Sequence, residues 1–189
     1  MCGIIGSTKY NVTRNTLNSL SHRGPDERGL MAGFDDKLSF GHTRLSILGL
    51  DGGQQPMSSV DGTVAISFNG EIYNYLELKE TLRTEGVELN SGSDTEVLLN
   101  YYLIFGLEKT LEDVNGMFSF ALYDWVIDSL FLVRDRVGIK PLFYAAEKDG
   151  ITFCSEIGPV KEMLGIEKLS IDPVAVSMFF NTFYIASPN

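Results

Sequence analysis

Four closely spaced apolar runs of this 189-residue chain constrain its fold most. Residues 118–124, 130–134, 142–146 and 151–154 are short and rich in aromatic and branched side chains. The gaps between them are too short to hold a helix. A parallel crossover needs about a dozen residues, so these strands are predicted to be antiparallel neighbours. Upstream, residues 2–7, 38–43 and 63–68 read as further strands, the last alternating Val64, Ile66 and Phe68 with smaller residues. Helical patterns are few and grouped. Thr13 is a good cap for a short helix through Leu20. Asn74, with Glu77 three positions on, starts a second helix that Gly86 stops. Ser93, with Glu96 completing a Ser-x-x-Glu capping box, starts a third that runs to Gly106. Runs of strands with helices grouped between them fit helix-covered sheets rather than an alternating parallel fold.

Composition narrows function by exclusion. Fifteen Lys and Arg against 25 Asp and Glu give a net charge of −10, so the chain has no broad attraction for nucleic acid or anionic lipid. Neither partner is expected. No run of about 18 apolar residues spans a bilayer, and the start lacks the pattern of a signal peptide. Two cysteines, Cys2 and Cys154, cannot make a disulfide framework, and no Cys/His cluster has zinc spacing. Two reduced thiols in a cytoplasmic protein is the plain expectation. Asp172-Pro173 starts a last helix, and residues 174–186 contain no charge. That segment is read as a connection to something further rather than as a docked C-terminal helix.

Cys2 directly follows the initiator Met1. With Met1 removed, one residue carries a thiol and an α-amine whose ordinary pKa is about 7.7–8.0, so nucleophile and base coincide. Packing is the commoner fate of a cysteine in a first strand. An amide-directed nucleophile also needs oxyanion donors, and Asn69-Gly70 offers a side-chain amide beside an approachable N–H. Asn-Gly is equally a hairpin signal, although residues 71–83 read as turn and helix rather than as a returning strand. Arg44 offers a planar fork for a carboxylate, and Asp94 a carboxylate for an ammonium. A surface ion pair and a helix first turn are their ordinary alternatives.

Six runs occur in one order: the N-terminal Cys2; Arg23-Gly24-Pro25-Asp26; His42-Thr43-Arg44-Leu45-Ser46-Ile47; Asn69-Gly70-Glu71-Ile72-Tyr73-Asn74; Gly92-Ser93-Asp94-Thr95-Glu96; and Arg134-Asp135 with Gly138-Ile139-Lys140-Pro141-Leu142. Together they resemble the glutaminase domain of class II glutamine amidotransferases, which are N-terminal-nucleophile hydrolases. The likeness is strongest to the amino-terminal half of glutamine-hydrolysing asparagine synthetases and covers residues 2–165, with 166–189 leading toward an absent synthetase domain.

The resemblance implies an α+β fold, a four-layer αββα sandwich of two antiparallel sheets between helical layers. It implies that Cys2 attacks the side-chain amide of glutamine, with Asn69 and Gly70 as the oxyanion hole. Arg44 would hold the substrate carboxylate, Asp94 its ammonium, and Glu71 with main-chain groups near Leu45 and Ile47 would position it. Arg23 and Asp26 would be scaffold for the nucleophile. The run from Arg134 has no assigned chemistry beyond fold, and Cys154 is read as a buried strand thiol. The domain would need no cofactor; ATP and Mg belong to the synthetase half that would receive the ammonia. No nucleotide loop of the Ser-Gly-Gly-x-Asp-Ser type occurs in this chain, so by itself it is expected to hydrolyse glutamine at most. A class II domain serving a sugar-phosphate or phosphoribosyl acceptor, or a non-catalytic glutamine binder with Met1 retained, are the alternatives. A homodimer is compatible with all three.

Overall fold

The computed structural model describes residues 1–33, 37–46, 52–167 and 170–185. In chain order these form β1 (Gly3–Ser7), α1 (Arg14–Asn18), β2 (Glu27–Ala32), β3 (Ser39–Arg44), β4 (Met57–Ser58), β5 (Val64–Ile72), α2 (Tyr75–Thr84) and α3 (Asp94–Asp113). β6 (Gly116–Asp124), β7 (Ser129–Arg134), β8 (Phe143–Glu147), β9 (Gly150–Cys154), α4 (Ile157–Met163) and α5 (Pro173–Thr182) follow. The strands make two sheets, ordered β2-β3-β1-β9-β8 and β4-β5-β6-β7, with every pairing antiparallel.

Period-two alternation then sorts side chains into three core layers. On β5 and β6, Val64, Ile66, Phe68, Phe118, Phe120 and Leu122 face α2 and α3, where Leu78, Leu82, Val97 and Leu98 meet them. The opposite faces of those strands place Ala65, Ala121 and Tyr123 against Phe40 and Phe153 of the other sheet. Phe40 and Phe153 pack edge to face, 5.7 Å between centroids. Beyond that sheet, Ile5 and Cys154 pack under Leu17, Leu20 and Val160 of the α1–α4 layer. Helix, sheet, sheet and helix make four layers, each large buried side chain contributing about 1.5–3 kcal/mol. This is the sandwich that the family resemblance implies.

Several local expectations change. The strand predicted over 63–68 continues to Ile72, so Asn69-Gly70 lies inside β5, paired with Ser119 and Phe118, rather than at a turn. Gly70 is needed there because a Cβ would stand 2.4 Å from the Met117 carbonyl oxygen. Neither capping box closes. Asn74 spends its side chain on the Asp113 carbonyl and the Asn115 N–H. Ser93 does cap α3 through the Thr95 N–H, but Glu96 accepts from the N–H groups of Asn90 and Ser91 instead of from Ser93. The helix from Ser93 does break at Gly106 (φ 75, ψ 175), as expected, and a second helical segment follows directly to Asp113. Strands β7 and β8 are not neighbours, because residues 135–142 carry the chain from the edge of one sheet to the edge of the other. β2, β4 and α4 carry too few consecutive apolar residues to be seen in advance. Helix α5, capped by Asp172 and with Pro173 at its start, buries none of its residues.

Candidate functional site

Cys2 stands just before β1, the central strand of its sheet. Its carbonyl accepts from Arg23 Nε at 3.0 Å, and Arg23 is fixed in turn by Glu156 at 3.2 Å. The Cys2 thiol lies against the backbone that leaves β3: Sγ accepts from the Leu45 N–H at 3.4 Å and lies 3.7 Å from the Leu45 carbonyl. That backbone is itself held, since Asp26 Oδ2 accepts from the Ser46 N–H at 2.7 Å and the Asp26 N–H donates to the Arg44 carbonyl at 3.0 Å. Arg23 and Asp26 therefore fix the surroundings of the sulfur without lining the cavity. Burial pushes the Cys2 thiol above its usual range. The Leu45 N–H, the chain's α-ammonium and Arg44 work against that rise, and Asp94 adds to it.

The opposite wall is a stretch of sheet edge with no strand partner among the described residues. There β4 pairs with β5 only at Ile66 and Ala65. Odd-numbered residues at the ends of β5 bond toward β6, as the Thr63 carbonyl and the Tyr73 N–H show. Even-numbered ones therefore turn to the side that β4 leaves uncovered. Two of their N–H groups are taken by side chains: Phe68 N–H donates to Gln55 Oε1 at 2.7 Å, and Ile72 N–H to Asp94 Oδ2 at 3.1 Å. The Gly70 N–H between them faces the same way. Beside it, both polar atoms of the fully buried Asn69 amide lack a hydrogen-bond partner among the described residues. An unsatisfied buried amide costs about 1–3 kcal/mol, so a native fold keeping one wants an explanation.

Cys2, Asn69 and Gly70 face one cavity of about 220 Å³, also bordered by Met1, Arg44, Leu45, Gln55, Glu71, Asp94 and Lys140. That is below the ~300–1,000 Å³ typical of drug-sized ligands and suits a small polar molecule. Two cations, Arg44 and Lys140, and two carboxylates, Glu71 and Asp94, give it the charges a zwitterion would meet. Arg44 is buried, and Glu27 holds one end of its guanidinium at 2.9 Å. Burial raises the Asp94 carboxyl above the ordinary range, opposed by the Ile72 and Thr95 N–H groups, while neighbouring Glu71 raises it further. His42, buried between the sheets, donates from Nε2 to the Phe68 carbonyl at 3.0 Å; burial, helped by the Arg44 charge, lowers its pKa to about 4. It is neutral at physiological pH.

Of the residues singled out from sequence, Cys2, Arg44, Leu45, Asn69, Gly70, Glu71 and Asp94 share this cavity; Ile47 lies outside the described residues. Gln55 and Lys140 were missed. A glutamine before a proline in a loop carries no periodic signal, and Lys140 stood in a run with no assigned chemistry. That run is now explained: Asp135 accepts from the N–H groups of Ile139, Lys140 and Phe118, and Arg134 from β7 closes on the Lys140 and Gly138 carbonyls. It is the crossover between sheets. Cys154 is fully buried on β9, its thiol pushed up to about 12 by burial. No described helix is long and apolar enough to cross a membrane.

Comparison with known proteins gives these observations a family. The family model described as a glutamine amidotransferase domain matches residues 1–189. Asparagine synthetase [glutamine-hydrolyzing] 1 of Bacillus subtilis is 35% identical over the whole chain, which covers 31% of that protein. Asparagine synthetase [glutamine-hydrolyzing] 2 of the same organism is 40% identical over 83% of the chain and 22% of that protein. A putative asparagine synthetase of Methanocaldococcus jannaschii is 35% identical over the whole chain and 40% of its own length. The chain thus spans less than half of these relatives. Among solved structures, the glutamine phosphoribosylpyrophosphate amidotransferase of B. subtilis superimposes with a TM-score of 0.71 at 22% identity, over 87% of this chain and 44% of that one, a likeness of fold. On the family match and these relatives together, the chain belongs to the glutamine amidotransferase domain family.

Proposed function

We propose that this domain hydrolyses the side-chain amide of glutamine through a thioester on Cys2 and supplies the ammonia to an asparagine synthetase-like domain. The observation that carries the reading is the buried, unpartnered Asn69 amide facing the same cavity as the Cys2 thiol. A tetrahedral oxyanion would accept from Asn69 Nδ2 and the Gly70 N–H, which meet no charge until the reaction makes one. Arg44 would bind the substrate carboxylate, Asp94 and Glu71 its ammonium, and main-chain groups at Leu45 and Ile47 would help orient it.

Met1 borders the cavity, so its removal would enlarge the site and turn the Cys2 amide nitrogen into an amine. That amine takes the thiol proton as sulfur attacks the carboxamide carbon. It returns the proton to the departing nitrogen, and ammonia leaves as the thioester forms. Water, deprotonated by the same amine, then cleaves the thioester to glutamate and the free thiol. Arg23 and Asp26 keep the Cys2 backbone and the Leu45–Ser46 segment in register for these steps. The proposed acceptor domain rests on the relatives, which are glutamine-hydrolysing asparagine synthetases by name and more than twice as long as this chain.

The test is intact mass after exposure to a glutamine-mimicking electrophile, together with a glutamate-release assay. The expected result is loss of Met1, one adduct on Cys2, and a fall of at least ~10³-fold in turnover for Cys2→Ala at unchanged melting temperature. Glutaminase activity persisting in Cys2→Ala, or in a protein still carrying Met1, would overturn the mechanism.

A further inference from the structure

The uncovered edge of β5 raises a question the oxyanion assignment does not answer: what keeps an unpaired strand segment in one place? β4 begins at Met57, opposite Ile66, so from Phe68 onward β5 has no strand neighbour on that side among the described residues. Side chains replace the missing strand. Gln55 Oε1 accepts from the Phe68 N–H at 2.7 Å, while its Nε2 donates to Thr95 Oγ1 at 3.1 Å in the first turn of α3. His42 Nε2 donates to the Phe68 carbonyl at 3.0 Å, reaching across from β3. Asp94, adjacent to Thr95, takes the Ile72 N–H. The chain is therefore gripped two residues before Gly70 and two residues after it, and among the described residues nowhere between on that edge.

The grip suits Gln55 and His42 chemically. A neutral carboxamide accepts from a backbone N–H and donates to a hydroxyl at once, without adding charge to a cavity that already holds Glu71 and Asp94. His42 is buried, so solvent competes little for its bond to Phe68.

We propose that Gln55 and His42 are positioning residues that clamp both polar groups of Phe68 and thereby aim the Gly70 N–H and the Asn69 amide at the oxyanion, the Gln55–Thr95 contact tying that aim to the helix that carries Asp94. The inference rests on the oxyanion assignment above. Neither residue touches the reacting atoms; each acts through the β5 backbone.

The decisive variant is Gln55→Met, which keeps length and volume but loses both hydrogen bonds. A shift of a fraction of an ångström in the oxyanion donors lowers kcat roughly 10–100-fold. Inhibition by an aldehyde analogue of glutamine, which forms a tetrahedral adduct with the thiol, weakens by the same factor. Glutamine affinity measured by calorimetry in the Cys2→Ala background stays within about twofold, because the groups that bind the substrate's charges are untouched. Thr95→Val, which removes only the outer contact, serves if Gln55→Met does not fold, and shows the same parallel loss at about threefold. Unchanged kcat and aldehyde inhibition in either folded variant would overturn the clamp, as would a loss of glutamine affinity equal to the loss of turnover. Failure of the underlying reading looks different: Asn69→Ala run alongside would then hydrolyse glutamine as fast as the unaltered protein.

Discussion

Two buried polar stretches of this molecule are satisfied in opposite ways. In the crossover from Arg134 to Leu142, the Asp135 carboxylate takes three backbone N–H groups, from Ile139 at 2.8 Å, Lys140 at 3.0 Å and Phe118 at 3.3 Å. Burial raises its pKa, but the Lys140, Ile139, Phe118 and Val137 N–H groups outweigh that and hold the carboxyl below the ordinary range. On the open edge of β5, the equally buried Asn69 amide has no partner among the described residues. The fold satisfies a charged group in a loop yet leaves a neutral amide unpaired in a central strand. On the proposed mechanism the crossover is structure and Asn69 a group kept for a ligand: pairing stabilises, and readiness to bind costs about 1–3 kcal/mol.

Asn69→Ala is the hardest test of that contrast. On the proposed mechanism it removes an oxyanion donor, so kcat for glutamine hydrolysis is expected to fall about 10²–10³-fold. It also removes two unsatisfied buried atoms, so the urea midpoint stays level or rises despite the small void. A variant that keeps its rate and loses stability would place Asn69 with the structural group and erase the contrast.

Asp135→Ala should show the reverse. Three N–H groups, those of Lys140 and Phe118 buried, lose a charged acceptor at once, which costs about 2–3 kcal/mol of folding free energy. Urea denaturation measures it, and kcat per folded molecule changes by less than about threefold. The pH dependence has a definite sign. A carboxyl depressed in the folded state stabilises fully above its unfolded pKa of about 3.9 and loses that contribution as pH falls through the lower folded value. The variant is thus less sensitive to acid below about pH 4 than the unaltered chain. Equal acid sensitivity in the two would remove Asp135 as the anchor.

The same contrast marks what could be read from residues alone. Strand alternation is a local property, so the runs around Phe68, Phe120 and Cys154 were legible; their division into two sheets came from the family resemblance. The extent of β5 was not legible. Asn-Gly carries turn propensity, and only the ladder with Ser119 and Phe118 shows the pair held extended. The capping boxes failed for a related reason: Asn74 and Glu96 found partners in Asn115 and Ser91 that helix-local rules do not consider. The cavity residues were legible as a set through motif order and resemblance. Gln55 and His42 were not, because their partners are the backbone of one residue, Phe68, reached from 13 and 26 positions away.

Arg44→Lys probes the smallest difference, between a group that binds charge and one that merely carries it. Glu27 Oε2 holds Arg44 Nη1 from the rim at 2.9 Å, and the guanidinium borders the cavity. Lysine keeps the charge and can keep the Glu27 pair, but its single ammonium cannot meet a carboxylate with two parallel bonds. KM for glutamine should therefore rise about tenfold, near 1.4 kcal/mol, with kcat within about threefold, as expected when a contact is made equally in ground and transition states. A kcat that falls as far as KM rises would mean that Arg44 acts on the sulfur it neighbours rather than on the substrate's carboxylate. An unchanged KM would take Arg44 out of the binding site and leave Lys140 as the cavity's other cation to hold that charge.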